Sequence, residues 1–101
     1  MKIHKLCQIL SSQTRLKILS LLLDRELCVC QIYSVIGTTQ PNISQHMNVL
    51  KRFGIVEVRK EGSFVYYSLN KRFLQNHQCL EMILKDAKEQ FSKPLSTCNL
   101  S

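Results

Sequence analysis

Acidic residues are scarce in this chain. Seven Asp and Glu stand against fourteen Lys and Arg in 101 residues, a formal charge of +7, and that balance in a folded domain without a basic tail favours a polyanionic partner, nucleic acid first. Long apolar runs are missing too: none approaches the roughly 18 residues of a membrane span. The opening Met-Lys-Ile-His-Lys-Leu-Cys-Gln-Ile-Leu is broken by polar residues too often for a signal peptide. A cytoplasmic protein with no membrane partner is therefore expected. The cysteine count is not even. Five cysteines in a reducing compartment argue against a disulfide framework and leave free thiols, ligands or redox sensors. With 45% hydrophobic residues the chain builds one small domain with a modest core, a size at which a second copy often adds burial, so a dimer is expected. An enzyme with a cysteine nucleophile would need an activating base and a cleft, and no cleft-forming architecture is visible. Neither catalysis nor an organic cofactor is expected.

The chain is organised around residues 36–54. Gly37 breaks a preceding helix, Thr39 is a good N-cap, Pro41 sits in a first turn where its missing N–H costs nothing, and Gly54 supplies the stop. These signals define a helix of about 13 residues. At about 100° per residue Ile43, Met47 and Leu50 share one stripe, with Pro41, Gln45, Asn48 and Arg52 opposite. An outward face carrying Gln40, Asn42, Ser44, Gln45 and Asn48, with Lys51 and Arg52 behind it, suits base edges and phosphates; a merely solvated helix would more often show Glu/Lys pairs. His46 lies beside the apolar stripe, where a hydrogen-bonding or phosphate role is expected.

Before this element, Ile3, Leu6, Cys7 and Leu10 mark a first helix with Cys7 on its apolar side. Ser11 and Ser12 cap a second helix, 13–23, rich enough in Leu and Ile to be the buried centre. After a charged Asp24-Arg25-Glu26 turn, a short extended stretch leads into a third helix with Val29, Ile32, Tyr33 and Ile36 on one stripe. The third helix and the helix within 36–54 form a helix-turn-helix. Beyond Gly54 the period becomes alternating: 55–60 and 64–69, separated by Glu61-Gly62-Ser63, predict a hairpin with Val56, Val58, Val65, Tyr67 and Leu69 inward. Arg59 and Lys60 are expected at its tip, reaching for phosphate as a wing; an ordinary solvated turn is the alternative. Asn70 caps a last helix, 71 to about 91, in which Phe73, His77, Leu80, Leu84, Ala87 and Phe91 recur at spacings of 4, 3, 4, 3 and 4. So regular a seam predicts pairing with the same helix of a second copy, helix one alongside, rather than packing on its own domain. The fold class is mainly α with a β-hairpin wing, dimerised through N- and C-terminal helices: a DNA-binding and dimerisation domain over 1–93, then a flexible tail, 94–101, after the Pro94 stop.

One signal remains, Glu26-Leu27-Cys28-Val29-Cys30-Gln31. On a regular helix Cys28 and Cys30 stand about 200° apart, whereas residues two apart on an extended segment point to one side. The pair can chelate only where strand meets helix. Thiolates at roughly 2.3 Å from an ion bring their sulfurs within about 4 Å, which is expected to distort the start of helix three and make a ligand-operated switch. The alternative is that small, soft cysteines fill a core.

From about Leu10 to Leu69 the stretches Leu-Ser-Ser-Gln-Thr-Arg-Leu-Lys-Ile-Leu, Glu-Leu-Cys-Val-Cys, Gln-Pro-Asn-Ile-Ser-Gln-His-Met-Asn-Val-Leu and Val-Arg-Lys-Glu-Gly-Ser-Phe-Val-Tyr-Tyr resemble the ArsR/SmtB family of dimeric winged-helix repressors, which release operator DNA when a metal or metalloid binds. The Glu-Leu-Cys-Val-Cys element resembles the thiolate site of its As(III)/Sb(III) sensors and of its cadmium/lead sensors. That likeness implies Cys28 and Cys30 as ligands, As(III) or Sb(III) as effector, double-stranded operator DNA as partner, and Cd, Pb or Zn as alternative effectors. The arsenic sensors often place a third cysteine three residues after the second, but position 33 is Tyr here. Cadmium/lead relatives bring an N-terminal cysteine to the pair, often from the other subunit, which points to Cys7, the other reading being a core cysteine. His4 with Cys7, Cys28 and Cys30 would make a four-coordinate zinc or cadmium centre. His77 and Cys79 fall near where zinc-type relatives bind metal, but the Asp/His array is absent and seam packing is expected of His77. Cys98 lies in the tail. A thiol redox sensor in the same fold is a further reading, with a strained Cys-x-Cys disulfide.

Overall fold

The computed structural model describes residues 2–91. These run α1 (Ile3–Leu10), α2 (Gln13–Leu21), β1 (Leu27–Cys28), α3 (Val29–Ile36), α4 (Gln40–Arg52), β2 (Val56–Glu61), β3 (Phe64–Leu69), α5 (Lys71–Asn76) and α6 (Gln78–Phe91). The tail expected at 94–101, with Cys98, lies outside the described residues.

Ser12 starts α2 by accepting the Arg15 N–H at 3.3 Å. The helix ends two residues earlier than the sequence pattern implies, because the Leu22 N–H turns back onto Ile18, Leu19 and Ser20 carbonyls. Ile18 and Leu19 are fully enclosed, and with Leu6, Ile9, Leu22, Ile32, Ile43, Met47, Leu50, Ile55, Leu80 and Leu84 they form one core. In α1 the buried pair is Leu6 and Ile9, so Ile3 and Cys7, expected on the inner face, are exposed. A core role for Cys7 is thereby removed.

The hairpin pairs Val56 with Leu69 through Glu61 with Phe64, so its turn is Gly62-Ser63. The extended stretch before α3 is a third strand: β1 pairs antiparallel with β3, Leu27 opposite Tyr67 and Cys28 opposite Tyr66, giving the order β1-β3-β2. Helix α3 ends at Gly37, whose φ of 81° is open to glycine without strain. That turn lets α4 start in a new direction while Ile43, Met47 and Leu50 still reach the core.

The single helix expected over 71–91 is two. At His77 the backbone leaves the helical region (φ −136°, ψ 68°), the ring stacks on Phe73 with centroids 4.2 Å apart, and the His77 carbonyl accepts the Leu80 N–H to begin α6. Leu80, Leu84 and Ala87 are buried against this domain's own core, where α6 packs on α2. The regular seam is thus spent within the chain, because the hydrophobic wall of α2 is the nearer partner. Met82 and Ile83 on α6 and Ile3 on α1 are the large apolar side chains these helices leave exposed.

Candidate functional site

Helix α4 presents the face its sequence predicts. Thr39 Oγ1 accepts the Asn42 N–H at 3.3 Å, Pro41 occupies the first turn, and Ile43, Met47 and Leu50 are fully buried. Gln40, Pro41, Gln45, Asn48, Lys51 and Arg52 are exposed, with Asn42, Ser44 and His46 half-buried. The Asn42 amide is committed to the turn, donating to Thr38 Oγ1 at 3.0 Å. His46 is held below the ordinary histidine range by burial and then by the neighbouring Arg15 guanidinium, so its imidazole is neutral near pH 7. A neutral ring donates or accepts a hydrogen bond but adds no charge toward phosphate.

Lys60 stands exposed one residue before the end of β2, whereas Arg59 is neither at the tip nor unpaired. Its guanidinium forks onto Glu26, Nη2 to Oε1 at 2.8 Å and Nε to Oε2 at 3.0 Å, takes a Glu61 oxygen on Nη1, and lies over the Tyr66 ring 4.8 Å from the centroid. In the chain without DNA Arg59 is thus engaged by carboxylates, and a phosphate contact there would have to displace them. Three residues from the turn, its side chain lies over the sheet, where two carboxylates already occupy the fork. The sequence carried no signal for the Glu26 partner, which lies 33 residues away.

The thiol pair sits where β1 becomes α3. Cys28 is the extended N-cap (φ −86°, ψ 164°) and Cys30 is in the first turn; the sulfurs approach to 2.6 Å while Gln31 Oε1 accepts the Cys28 N–H at 2.9 Å. Before any ion binds, an extended residue followed by a helical one already brings the thiols together with the start of α3 regular. Cys28 is buried and Cys30 exposed. The Cys30 thiol beside it holds Cys28 below the ordinary thiol range, and the same contact, with burial, pushes Cys30 up. The pair opens into a groove of ≈ 260 Å³ whose other walls are Gln40, at the start of α4, and Ser63, Phe64 and Val65 of the hairpin.

Two soft sulfurs at one point suit a thiophilic ion, but among the described residues no group of three His, Cys, Asp or Glu gathers anywhere. The four-ligand set with His4 and Cys7 is not assembled within one chain. Cys7 on α1 and Cys79 on α6 are both exposed. His77 engages Phe73, through ring stacking and an Nδ1 contact of 3.0 Å with the Phe73 carbonyl, a local packing at the break between α5 and α6 and not a place in a continuous seam.

A helix–turn–helix followed by an antiparallel hairpin, on a three-stranded sheet closed by the segment before α3, defines a winged helix-turn-helix. Residues 12–58 match the bacterial regulatory protein arsR family. A cadmium resistance transcriptional regulatory protein CadC homolog of Staphylococcus aureus is 44% identical over 71 residues, 69% of this chain and 59% of that protein. The arsenical resistance operon repressor of Escherichia coli is 40% identical over 67 residues, 65% of this chain and 57% of the repressor. Reduced HlyU from Vibrio cholerae superposes with a TM-score of 0.71 at 30% identity, covering 87% of this chain and 86% of that one. The chain belongs to the arsR family of bacterial regulatory proteins, which are DNA-binding regulators and not enzymes. It spans less than two-thirds of the length of either curated relative. Among the described residues no helix is long and apolar enough to cross a membrane.

Proposed function

We propose that this protein is a dimeric repressor that binds a two-fold symmetric operator and leaves it when Cys28 and Cys30 capture a soft thiophilic ion. The observation that carries the reading is the shared groove: the converging thiols, Gln40 of the DNA-reading helix and the hairpin residues Ser63 and Phe64 line one space. In each half-site Gln40, Pro41, Ser44, Gln45 and Asn48 face base edges, His46 lends a neutral hydrogen bond at the flank, and Lys51, Arg52 and Lys60 face phosphates. Asn42 supports the turn that points this helix. The second copy is held through the exposed Met82 and Ile83 of α6 with Ile3 of α1, apolar side chains whose exposure water disfavours.

Two thiolates come from Cys28 and Cys30, and the third from Cys7 of the second copy, which is exposed on α1 and free of the core. As(III) and Sb(III) lead because thiolates alone suffice for them; Cd(II) is next, in line with the relative named for cadmium resistance. An effector acts only through unequal affinity for the DNA-bound and free states. Tenfold inequality lowers operator affinity tenfold, about 1.4 kcal/mol.

The test is operator anisotropy titrated with As(III), Sb(III), Cd(II), Pb(II) and Zn(II), for wild type and for Cys28→Ser, Cys30→Ser and Cys7→Ser. The first two variants should bind operator nearly as wild type yet fail to release it, and the third should need more ion. If Cys28→Ser and Cys30→Ser still release at wild-type concentrations, the sensor lies elsewhere, Cys79 and Cys98 being next in line. Mass spectrometry of the oxidised protein separates a redox sensor, which would show a loss of two hydrogens per thiol pair.

A further inference from the structure

Strand β1 is two residues long and is tied to β3 by two residue pairs only. So short an edge strand frays easily, yet it carries Cys28. Cys28 lies opposite Tyr66 and Tyr66 opposite Arg59, so these three side chains stand in one row on one face of the sheet. Arg59 extends along that row, covers the Tyr66 ring, and grips Glu26 with two nitrogens. Glu26 precedes Cys28 by two residues, which on an extended chain sets both side chains to the same side. The contact therefore crosses the whole sheet, from β2 at its far edge to the residue that leads into the thiols. An isolated surface pair contributes little, but here the fork is bidentate, Glu61 fixes the guanidinium from the other side, and an aromatic ring supports it.

We propose that Glu26 and Arg59 are a positioning pair that holds the thiol-bearing edge strand on the wing, so that the wing's position is coupled to what Cys28 and Cys30 hold. This rests on the reading of those cysteines as the effector site. Arg59 then belongs to signal transmission instead of phosphate binding, and its two carboxylate partners keep it there in the absence of DNA.

The test compares Glu26→Gln, Arg59→Lys, Arg59→Gln and the exchanged pair Glu26→Arg with Arg59→Glu, all in the full chain. In ion-free protein, hydrogen exchange of the Leu27 amide should quicken about two- to five-fold in Glu26→Gln and Arg59→Gln, with β2–β3 amides unchanged. Arg59→Lys, which keeps charge but loses the fork, should fall between, and the exchanged pair should recover protection. Operator affinity and its salt slope without ion should be unchanged in Glu26→Gln, while the ratio of operator affinities with and without Cd(II) should shrink toward one. Two results overturn the proposal: unaltered exchange at Leu27, or a Glu26→Gln variant that binds operator more tightly with a steeper salt slope, which would mean that Glu26 merely withholds a phosphate contact. Cadmium–thiolate absorbance in wild type separates the two levels. Its absence, together with that of As(III)–thiolate absorbance, would defeat the effector reading, and the ion-free exchange would still decide whether the pair holds the strand.

Discussion

Operator affinity should fall steeply with salt, and the slope should reveal which cations touch phosphate. Exposed Lys51 and Arg52 end α4 and exposed Lys60 lies near the hairpin turn, whereas Arg59 is held by Glu26 and Glu61. Three such cations in each of two copies neutralise about six phosphates, and at about 0.9 per phosphate the log–log slope is about −5. Were Arg59 included the count would be about eight and the slope about −7. Going from about 50 to about 200 mM salt should weaken binding by a factor on the order of a thousand. Fluorescence anisotropy of a labelled operator over a salt series measures this. A slope shallower than about −2 would refute the phosphate assignment, and one near −7 would return Arg59 to the DNA.

Gln45→Ala should change which operator bases are tolerated, whereas Lys60→Ala should weaken all sequences alike; equal losses on every sequence would show that Gln45 does not read bases. Replacing Met82 with Lys should weaken self-association in sedimentation runs while leaving the circular dichroism of the monomer intact, since the side chain touches solvent and not the core. Leu84→Ala should cost about 2–5 kcal/mol in urea unfolding, because the side chain is fully enclosed between α6 and α2; a cost under about 1 kcal/mol would mean the site collapses without a cavity. His46 adds a pH dependence whose sign is fixed. Its folded-state pKa lies below the ordinary value, so as pH falls through the ordinary histidine range the unfolded chain takes the proton first and stability declines, and His46→Gln should flatten that decline.

Local chemistry settled a good part of this protein. Thr39, Pro41, Gly37 and Gly54 bound α4 through capping and backbone freedom, and the apolar spacing of Ile43, Met47 and Leu50 fixed which of its faces is exposed. Those signals act within one turn of chain, so they are legible without knowing the neighbours. The strand-to-helix change at Cys28 and Cys30 is equally local, and it brings the sulfurs together. Tertiary structure decided what competition decides. The α6 seam at Leu80, Leu84 and Ala87 fits a second copy or α2 equally well by periodicity, and α2 wins because it belongs to the same chain and costs no association entropy. Helix α1 turned Ile9 inward and Cys7 outward because the core surface, not the helix's own pattern, selects among faces that differ by one residue. Arg59 met Glu26 across 33 residues only because β1 added itself to the hairpin. A charge shows its sign in the sequence, but its partner is set by which strands lie side by side.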